Sequence, residues 1–271
     1  MKHSYKTEGT VLLVENVSVT IGNKTIIENI NMEEHNTLRD GHAQGQMIAV
    51  VGRSGRGKST LFKTITGLRK PSTGRILIPS NEINKPIEVQ EGTVGFVDQK
   101  YTLFRHLTIY NQLKLAAQKG DIPDGEIHGR VMELLNKWGL EKAKDQYPCH
   151  CSGGQRQRAA IMSQLLSSGY FLVLDEPFSG LDVGNVEDVK SMLRLVNSSH
   201  ELSTIIFSTH DIELAVELAD KIYVLGFASP SKQVGTVVAS FDLKALGLAW
   251  QPYSQSHTEL AKDIKTAILG S

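Results

Sequence analysis

The first part of the chain alternates apolar and polar positions, whereas later segments contain continuous apolar runs. The alternation extends over residues 11–32 and is interrupted by Gly22-Asn23-Lys24, which predicts short antiparallel strands joined by a turn. Residues 33–45 are mostly polar and include Asp40-Gly41, which predicts an enlarged loop. We therefore expect an antiparallel β subdomain on the N-terminal side of the chain.

Continuous apolar runs mark a second kind of strand. Residues 47–51 and 170–174 are almost entirely apolar, which is typical of strands covered on both faces in a parallel sheet. Shorter strands are expected at 75–78, 93–97, 204–208, 222–225 and 236–240.

Helical spacing of apolar residues predominates between about residues 101 and 166. Ile127, Val131, Leu134 and Leu135 recur at intervals that place them on one helix face. Further helices are expected at 60–66, 155–166, 185–197, 212–219 and around 260–268. Strands alternating with helices around an all-helical insert predict an α/β fold with a parallel sheet at its core.

Composition limits the classes of protein that this chain can belong to. The 271 residues suffice for one large domain or two modest ones. Lys plus Arg and Asp plus Glu both number 29, which argues against a general nucleic-acid-binding surface, so no nucleic-acid partner is expected. No apolar run approaches the roughly 20 residues of a membrane-spanning helix, and residues 1–6 lack a signal-peptide core. With only two cysteines, Cys149 and Cys151, a cytoplasmic location is expected.

A phosphate-binding loop follows the first apolar strand. Gly52-Arg53-Ser54-Gly55-Arg56-Gly57-Lys58-Ser59 has the form G-x-x-x-x-G-K-[ST] and stands between a predicted strand and the helix that begins at Thr60. The glycines allow backbone N–H groups to surround phosphate oxygens, and the helix N-terminus adds partial positive charge. Lys58 can reach the β- and γ-phosphates, while the Ser59 hydroxyl can coordinate Mg²⁺. The loop, with Thr60, is therefore predicted to bind a nucleoside triphosphate.

Two carboxylates end the apolar strand at 170–174. Asp175 stands where a Mg²⁺ ligand beside the phosphates is needed, and Glu176 can polarise an attacking water. The alternative is that both acids cap a helix, which Pro177 would permit. The strand and the phosphate loop together favour the metal and catalytic roles.

A third motif is the glycine-containing segment Ser152-Gly153-Gly154-Gln155. Ser152 can cap the helix expected near Gln155, and the glycines expose backbone N–H groups. Alone, this segment is an ordinary helix cap, and its meaning depends on the other two motifs.

Together these motifs resemble those of the ATP-binding-cassette (ABC) ATPases, over roughly residues 11–225. Residues 152–155 match that family's signature motif, although Cys151 stands where leucine is usual. Gln99 falls where the family keeps a glutamine that links Mg²⁺ to the helical subdomain. Ser179-Gly180-Leu181-Asp182 matches the D-loop, and His210 matches the histidine that contacts the γ-phosphate.

The resemblance implies a specific architecture. The expected fold is a P-loop NTPase core with a mixed sheet, an N-terminal antiparallel β subdomain and an inserted all-helical subdomain at about 101–166. The cassette is expected at 11–225 and a strand–helix extension at 226–271.

The resemblance also implies a mechanism that requires two cassettes. Two subunits, as a homodimer or with a homologous ATPase, sandwich ATP between the phosphate loop of one and residues 152–155 of the other, with Asp182 at the same interface. Hydrolysis opens the dimer. The family's usual aromatic residue against adenine is replaced here by Ile21, which can offer an apolar face without stacking. Either van der Waals contact with the base suffices, or selectivity for the base is relaxed.

The expected function is that of the detached ATPase subunit of a membrane transporter, most similar to bacterial importer subunits. Its expected partners are integral membrane permease subunits and a solute-binding protein, on the cytoplasmic face of the cell membrane. The alternatives are an exporter or lipid-transport ATPase and a soluble ABC ATPase acting on nucleic acid or ribosomes. A non-hydrolysing regulator is disfavoured because Glu176 and His210 are both present.

The apolar segment after Gln99 is where the resemblance places permease docking. Leu103 and Phe104 are expected to be exposed, because a segment that pivots with Gln99 cannot be fully buried. Leu107 could equally belong to the core of the helical subdomain.

Overall fold

The computed structural model describes residues 5–39, 44–79, 86–120, 122–200, 202–229 and 232–271. Its strands are β1 (Lys6–Ile21), β2 (Lys24–Leu38), β3 (Gln46–Val51), β4 (Thr73–Ile78), β5 (Ile87–Glu88), β6 (Gly95–Val97), β7 (Phe171–Leu174), β8 (Thr204–Ser208), β9 (Lys221–Ser229) and β10 (Lys232–Asp242). Its α-helices are α1 (Lys58–Ile65), α2 (Ile109–Lys119), α3 (Asp124–Lys137), α4 (Gly153–Ser168), α5 (Val183–Asn197), α6 (Ile212–Leu218) and α7 (Gln255–Leu269), and short 3-10 helices lie at Glu141–Ala143 and Pro148–His150.

One ten-stranded sheet joins the two predicted kinds of strand, in the order β5-β4-β1-β2-β10-β9-β3-β8-β7-β6. Each neighbouring pair from β9 through β3, β8 and β7 to β6 is parallel, whereas the pairs β10–β9, β1–β2, β1–β4 and β4–β5 are antiparallel. The two parts meet where β10 pairs with β2 in parallel at Gly235 and Ile27. The prediction of a mixed α/β sheet with an antiparallel N-terminal part is confirmed.

The predicted loop at 33–45 was wrong over its first half, because β2 continues to Leu38. Polar residues can occupy this strand because their buried side chains have partners. Glu34 accepts a hydrogen bond from the Tyr223 hydroxyl at 2.6 Å and lies 3.0 Å from Lys221 Nζ. Asn36 accepts a hydrogen bond from Gln46 Nε2 at 2.7 Å. Residues 40–43 of the predicted loop, which include Asp40-Gly41, lie outside the described residues.

The core has two parts, one on each face of the sheet. Met47, Ala49 and Val51 of β3 pack into the cluster that includes the helical subdomain, while Ile48 and Val50 pack into the cluster beneath α1. Residues of one strand thus face both clusters, as the unbroken apolar run predicted. This burial fixes the carboxyl end of β3, where the phosphate loop begins.

The C-terminal segment packs onto the same core. Leu260, Ala261 and Ile264 of α7 are buried in the cluster that contains Ala215 and Leu218 of α6. The helices of the described ranges include none that is long and apolar enough to cross a membrane.

Candidate nucleotide-binding site

The phosphate loop lies between Val51, the last residue of β3, and Lys58, the first residue of α1. Close packing explains two of its glycines. A Cβ on Gly52 would lie 2.2 Å from the Leu225 carbonyl oxygen, and a Cβ on Gly57 would lie 2.3 Å from Cγ2 of Ile27. Both residues also have positive φ, of 149° and 94°. The loop backbone therefore approaches the sheet more closely than any residue with a side chain would allow.

Lys58 is buried at the start of α1, with 7% of its surface exposed. Its Nζ donates a hydrogen bond to the Gly52 carbonyl oxygen at 2.8 Å and lies 3.8 Å from Glu176 Oε1. Burial lowers the pKa of Lys58, and the carboxylates of Glu176 and Asp175 partly oppose that shift. A desolvated ammonium that donates a hydrogen bond to one carbonyl oxygen is well suited to pair with a phosphate.

Asp175 and Glu176 follow β7 and are linked to the neighbouring strand through Ser208. The Ser208 hydroxyl donates to Asp175 Oδ1 at 2.7 Å and accepts the Glu176 backbone N–H at 2.9 Å. This bridge orients the two acids relative to the end of β8, and Asp175 is buried. Sequence reasoning missed Ser208, although its place before Thr209-His210 at a strand end was a usable signal.

Glu176 lies at the centre of the site in a strained backbone conformation, with φ of 54°. Its Oε1 lies 3.0 Å from Nε2 of His210, yet this buried oxygen has no aligned hydrogen-bond donor in the described part of the chain. Burial raises the pKa of Glu176, and His210 and Lys58 partly oppose the increase. Strain and an unsatisfied carboxylate oxygen together are typical of a functional residue.

Gln99 follows β6, and its exposed side chain donates a hydrogen bond from Nε2 to Ser179 Oγ at 3.3 Å. The glutamine therefore lies beside the segment 179–182. Tyr101, two positions on, donates from its hydroxyl to the Pro177 carbonyl oxygen at 3.3 Å. The start of the helical subdomain is thus tied to the residues that follow Glu176.

The segment 152–155 starts α4, two residues earlier than predicted. Ser152 and Gln155 form a reciprocal capping box: Ser152 Oγ accepts the Gln155 N–H at 3.2 Å, and Gln155 Oε1 accepts the Ser152 N–H at 2.8 Å. The predicted cap at Ser152 is confirmed. Cys151 is buried in the core, so a small apolar side chain fills the place where leucine is usual.

Asp182 caps α5 and holds Asn185, which lies against Gly154 of the segment 152–155. Asp182 Oδ1 accepts the Asn185 N–H at 2.9 Å, and its Oδ2 accepts Asn185 Nδ2 at 2.7 Å. These bonds, the backbone one foremost, lower the pKa of Asp182. A Cβ on Gly154 would lie 2.6 Å from Asn185 Oδ1. No local sequence pattern indicates this role for Asn185, because the contact joins distant segments.

The structure thus brings the predicted residues into two groups. Lys58, Asp175, Glu176 and His210 meet at the carboxyl ends of β3, β7 and β8. Residues 152–155 and Asp182 form a second group at the starts of α4 and α5.

Two other predicted positions lie at the surface. Ile21 ends β1 with 43% of its surface exposed. Phe104 is 55% exposed, as expected, whereas the expectation for Leu103 was wrong, since Leu103 is half-buried against the core. Leu103 turns inward because the apolar core continues beneath this segment. Leu107 is also half-buried.

Comparison with known proteins gives concordant matches. A family model described as ABC transporter matches residues 37–179, just over half of the chain. The sulfate/thiosulfate import ATP-binding protein CysA of Thermosynechococcus vestitus is 36% identical over 231 residues, which cover 85% of this chain and 66% of that protein. The chain thus spans slightly less than two thirds of that relative's length.

Solved structures show the same fold. The structure of cbiO1 from Clostridium perfringens, described as part of the ABC transporter complex cbiONQ, has a TM-score of 0.73 at 28% identity, covering 97% of this chain and 98% of that one. The ATP-binding cassette MJ0796, described as a dimer in a post-hydrolysis state bound to ADP and Pi, has a TM-score of 0.67 at 26% identity, covering 86% of this chain and 99% of that one.

Proposed function

Since this chain belongs to the ATP-binding family of ABC transporters, we propose that it is the ATP-hydrolysing subunit of an importer and drives transport through a separate membrane permease. The observation that carries the proposal is the meeting of Lys58, Glu176 and His210 at the ends of three neighbouring parallel strands. Such a group suits phosphoryl chemistry, because a buried cation, a carboxylate base and an imidazole face one small volume.

In the proposed reaction, ATP binds with its phosphates against the backbone of residues 52–60. Lys58 neutralises the phosphate charge, and its low hydration makes that pairing strong. Glu176 polarises the water that attacks the γ-phosphate and accepts a proton from that water. The imidazole of His210, 3.0 Å from that carboxylate, orients Glu176 and contacts the γ-phosphate.

The side-chain oxygen atoms around the site are suitable ligands for a magnesium ion. Ser59 is exposed at the start of α1, Asp175 supplies a carboxylate, and Gln99 supplies an amide oxygen. Hydroxyl, carboxylate and amide oxygens are ligands that Mg²⁺ accepts, with substrate phosphates and water completing its shell. We assign Ser59 and Asp175 as direct or water-mediated ligands and Gln99 as the link to the helical subdomain. When bound, the ion would neutralise charge on the phosphate oxygens.

We further propose that a dimer completes each nucleotide site. Ser152 is exposed and Gly153 is half-exposed, so the start of α4 is accessible to a second molecule. The nucleotide bound to the partner's phosphate loop would meet residues 152–155 and Asp182 there. The adenine of the nucleotide bound to this chain's own phosphate loop would lie against Ile21. The dimeric state described for MJ0796 supports this arrangement.

The relatives suggest what the transporter carries. The T. vestitus protein is named for sulfate and thiosulfate import. We propose import of a small inorganic oxyanion, with the cargo selected by the permease and a solute-binding protein, while this subunit works on the cytoplasmic face of the cell membrane.

One experiment tests the proposal on the intact assembly. The tagged chain is isolated from membranes together with whatever permease it retains, and ATP hydrolysis is measured in vesicles with and without a sulfate-loaded binding protein. We expect a polytopic membrane protein to co-purify and sulfate to stimulate hydrolysis. Recovery of the chain on ribosomes or nucleic acid instead, with hydrolysis stimulated by RNA or DNA, would overturn the transport assignment.

A further inference from the structure

Arg56, an interior residue of the phosphate loop, has its side chain on the C-terminal half of the molecule. Its guanidinium carbon lies 3.6 Å from the centre of the Phe227 ring on β9. Its Nη2 donates a hydrogen bond to the Ser271 carbonyl oxygen at 3.3 Å. A cation stacked this closely on an aromatic face is attracted by the ring quadrupole, more strongly where water is excluded.

The backbone around Arg56 is packed equally closely. A Cβ on Gly235 of β10 would lie 2.0 Å from the Arg56 carbonyl oxygen. A Cβ on Gly226 of β9 would lie 2.3 Å from Oγ of Ser271. Gly226, Phe227, Gly235 and Ser271 therefore form a surface, here called the C-terminal cradle, on which this part of the loop rests.

We propose that Arg56 is a positioning residue that fastens the phosphate loop to the C-terminal cradle and thereby sets the affinity for nucleotide. The inference rests on the nucleotide site proposed above and deepens it. The loop binds phosphate through backbone N–H groups, so its affinity depends on how well those groups are held before the ligand arrives. A side chain anchored at the middle of the loop restricts that backbone, and displacement of the cradle would release it.

A direct contact of Arg56 with phosphate is the competing explanation, and it makes a different prediction for Phe227. If Arg56 binds phosphate, the ring is dispensable. If Arg56 positions the loop, removing the ring has nearly the same effect as removing the guanidinium, and the two effects are not additive.

The test is a double-mutant cycle on the full chain, with ATP and ADP affinities measured by equilibrium titration. Arg56→Ser and Phe227→Leu should each weaken binding by roughly twofold to thirtyfold, the range that a cation–π contact corresponds to. The affinity of the double variant should be no lower than that of the single variant with the lower affinity. Phe227→Tyr, which keeps the ring, and Arg56→Lys, which keeps the charge, should recover most of the affinity. Arg130→Ser, an exposed arginine on α3, is the matched control and should bind as the unaltered chain does.

Kinetics separate positioning from general damage. KM for ATP should rise in Arg56→Ser while kcat changes little, because the anchor acts equally on ground state and transition state. A thermal unfolding midpoint within a few degrees of the unaltered chain shows that the variant is folded.

The possible results distinguish this inference from the proposed function. No ATP binding by the folded, unaltered chain overturns the nucleotide site and this inference with it. Normal ATP binding in both Arg56→Ser and Phe227→Leu overturns the inference alone. Weakened binding in Arg56→Ser with normal binding in Phe227→Leu also overturns it and assigns Arg56 to the phosphate.

Discussion

Asn185 Oδ1 lies 2.6 Å from the position that a Cβ on Gly154 would take, so the segment 152–155 and the start of α5 touch without room for a side chain between them. Asn185 also donates from Nδ2 to Asp182 Oδ2 at 2.7 Å. One side chain therefore joins the two segments that the proposed dimer needs around its second nucleotide. A shift of either segment would be transmitted to the other.

Gly154→Ala is expected to lower ATP-driven dimerisation while leaving the nucleotide affinity of the single subunit unchanged. The added methyl group must displace Asn185, and overpacking of this kind costs about 1–3 kcal/mol, which corresponds to roughly fivefold to 150-fold in the dimer equilibrium. Molecular mass with and without ATP measures the effect. In Gly154→Ala/Asn185→Ala the space is restored, so dimerisation should recover. If the double variant dimerises no better, Gly154 is constrained by the nucleotide itself and not by Asn185.

Glu176→Gln is expected to abolish turnover and to preserve ATP binding. The amide keeps the shape of the side chain but cannot accept the proton, a loss worth about 10²–10⁴ in rate. The dimer should then persist in ATP and Mg²⁺. Lys58→Ala should differ by losing nucleotide affinity, since the phosphate charge is no longer paired. Hydrolysis at the unaltered rate in Glu176→Gln would exclude the catalytic role.

The pH dependence of hydrolysis should reflect the environment of Glu176. Burial raises its pKa above the ordinary 4.5, and the neighbouring His210 and Lys58 oppose that increase. The active form is the ionised carboxylate, so the rate should fall as the pH decreases through the raised pKa, at a higher pH than for an exposed glutamate. His210→Ala removes the charge that opposes the increase most strongly, so the pKa of Glu176 should rise further. The acid limb of the variant's pH–rate profile should therefore move to still higher pH. A limb that moves to lower pH would contradict this electrostatic assignment.

The phosphate loop could be predicted from sequence because all its determinants are contiguous. Eight successive residues specify the turn, and the apolar strand before Gly52 and the helix after it are local patterns as well. The cap formed by Ser152 could be predicted for the same reason, since the hydrogen bonds between Ser152 and Gln155 span only three positions.

Contacts between distant segments could not be predicted from local sequence patterns. The strand at Glu34 depends on Lys221 and Tyr223, which are paired with it only after β9 has joined the sheet. The links of Ser208 to Asp175 and of Arg56 to Phe227 likewise require the completed sheet order. Polarity alone predicted a loop where tertiary partners in fact satisfy a buried strand.

Ile21→Tyr should tighten ATP binding by up to about tenfold if an aromatic contact with adenine is missing. The exposure of Ile21 at the end of β1 leaves space for the larger ring. Affinities for ATP and GTP, measured side by side, decide between the two interpretations. A strong preference for ATP in the unaltered chain, with no gain in Ile21→Tyr, would show that other contacts recognise the base.

Phe104→Ala should weaken capture of the subunit by its permease without changing ATP binding by the isolated subunit. More than half of the Phe104 surface is exposed, and its ring lies 5.9 Å from that of His106, so an apolar surface is available beside the start of the helical subdomain. Buried aromatic anchors at interfaces contribute about 2 kcal/mol or more, which corresponds to roughly thirtyfold in affinity. Both measurements use one preparation, and His106→Ala serves as the neighbouring comparison with a smaller expected loss. Permease binding that survives in Phe104→Ala, or a variant that no longer binds ATP, would remove Phe104 from the docking surface.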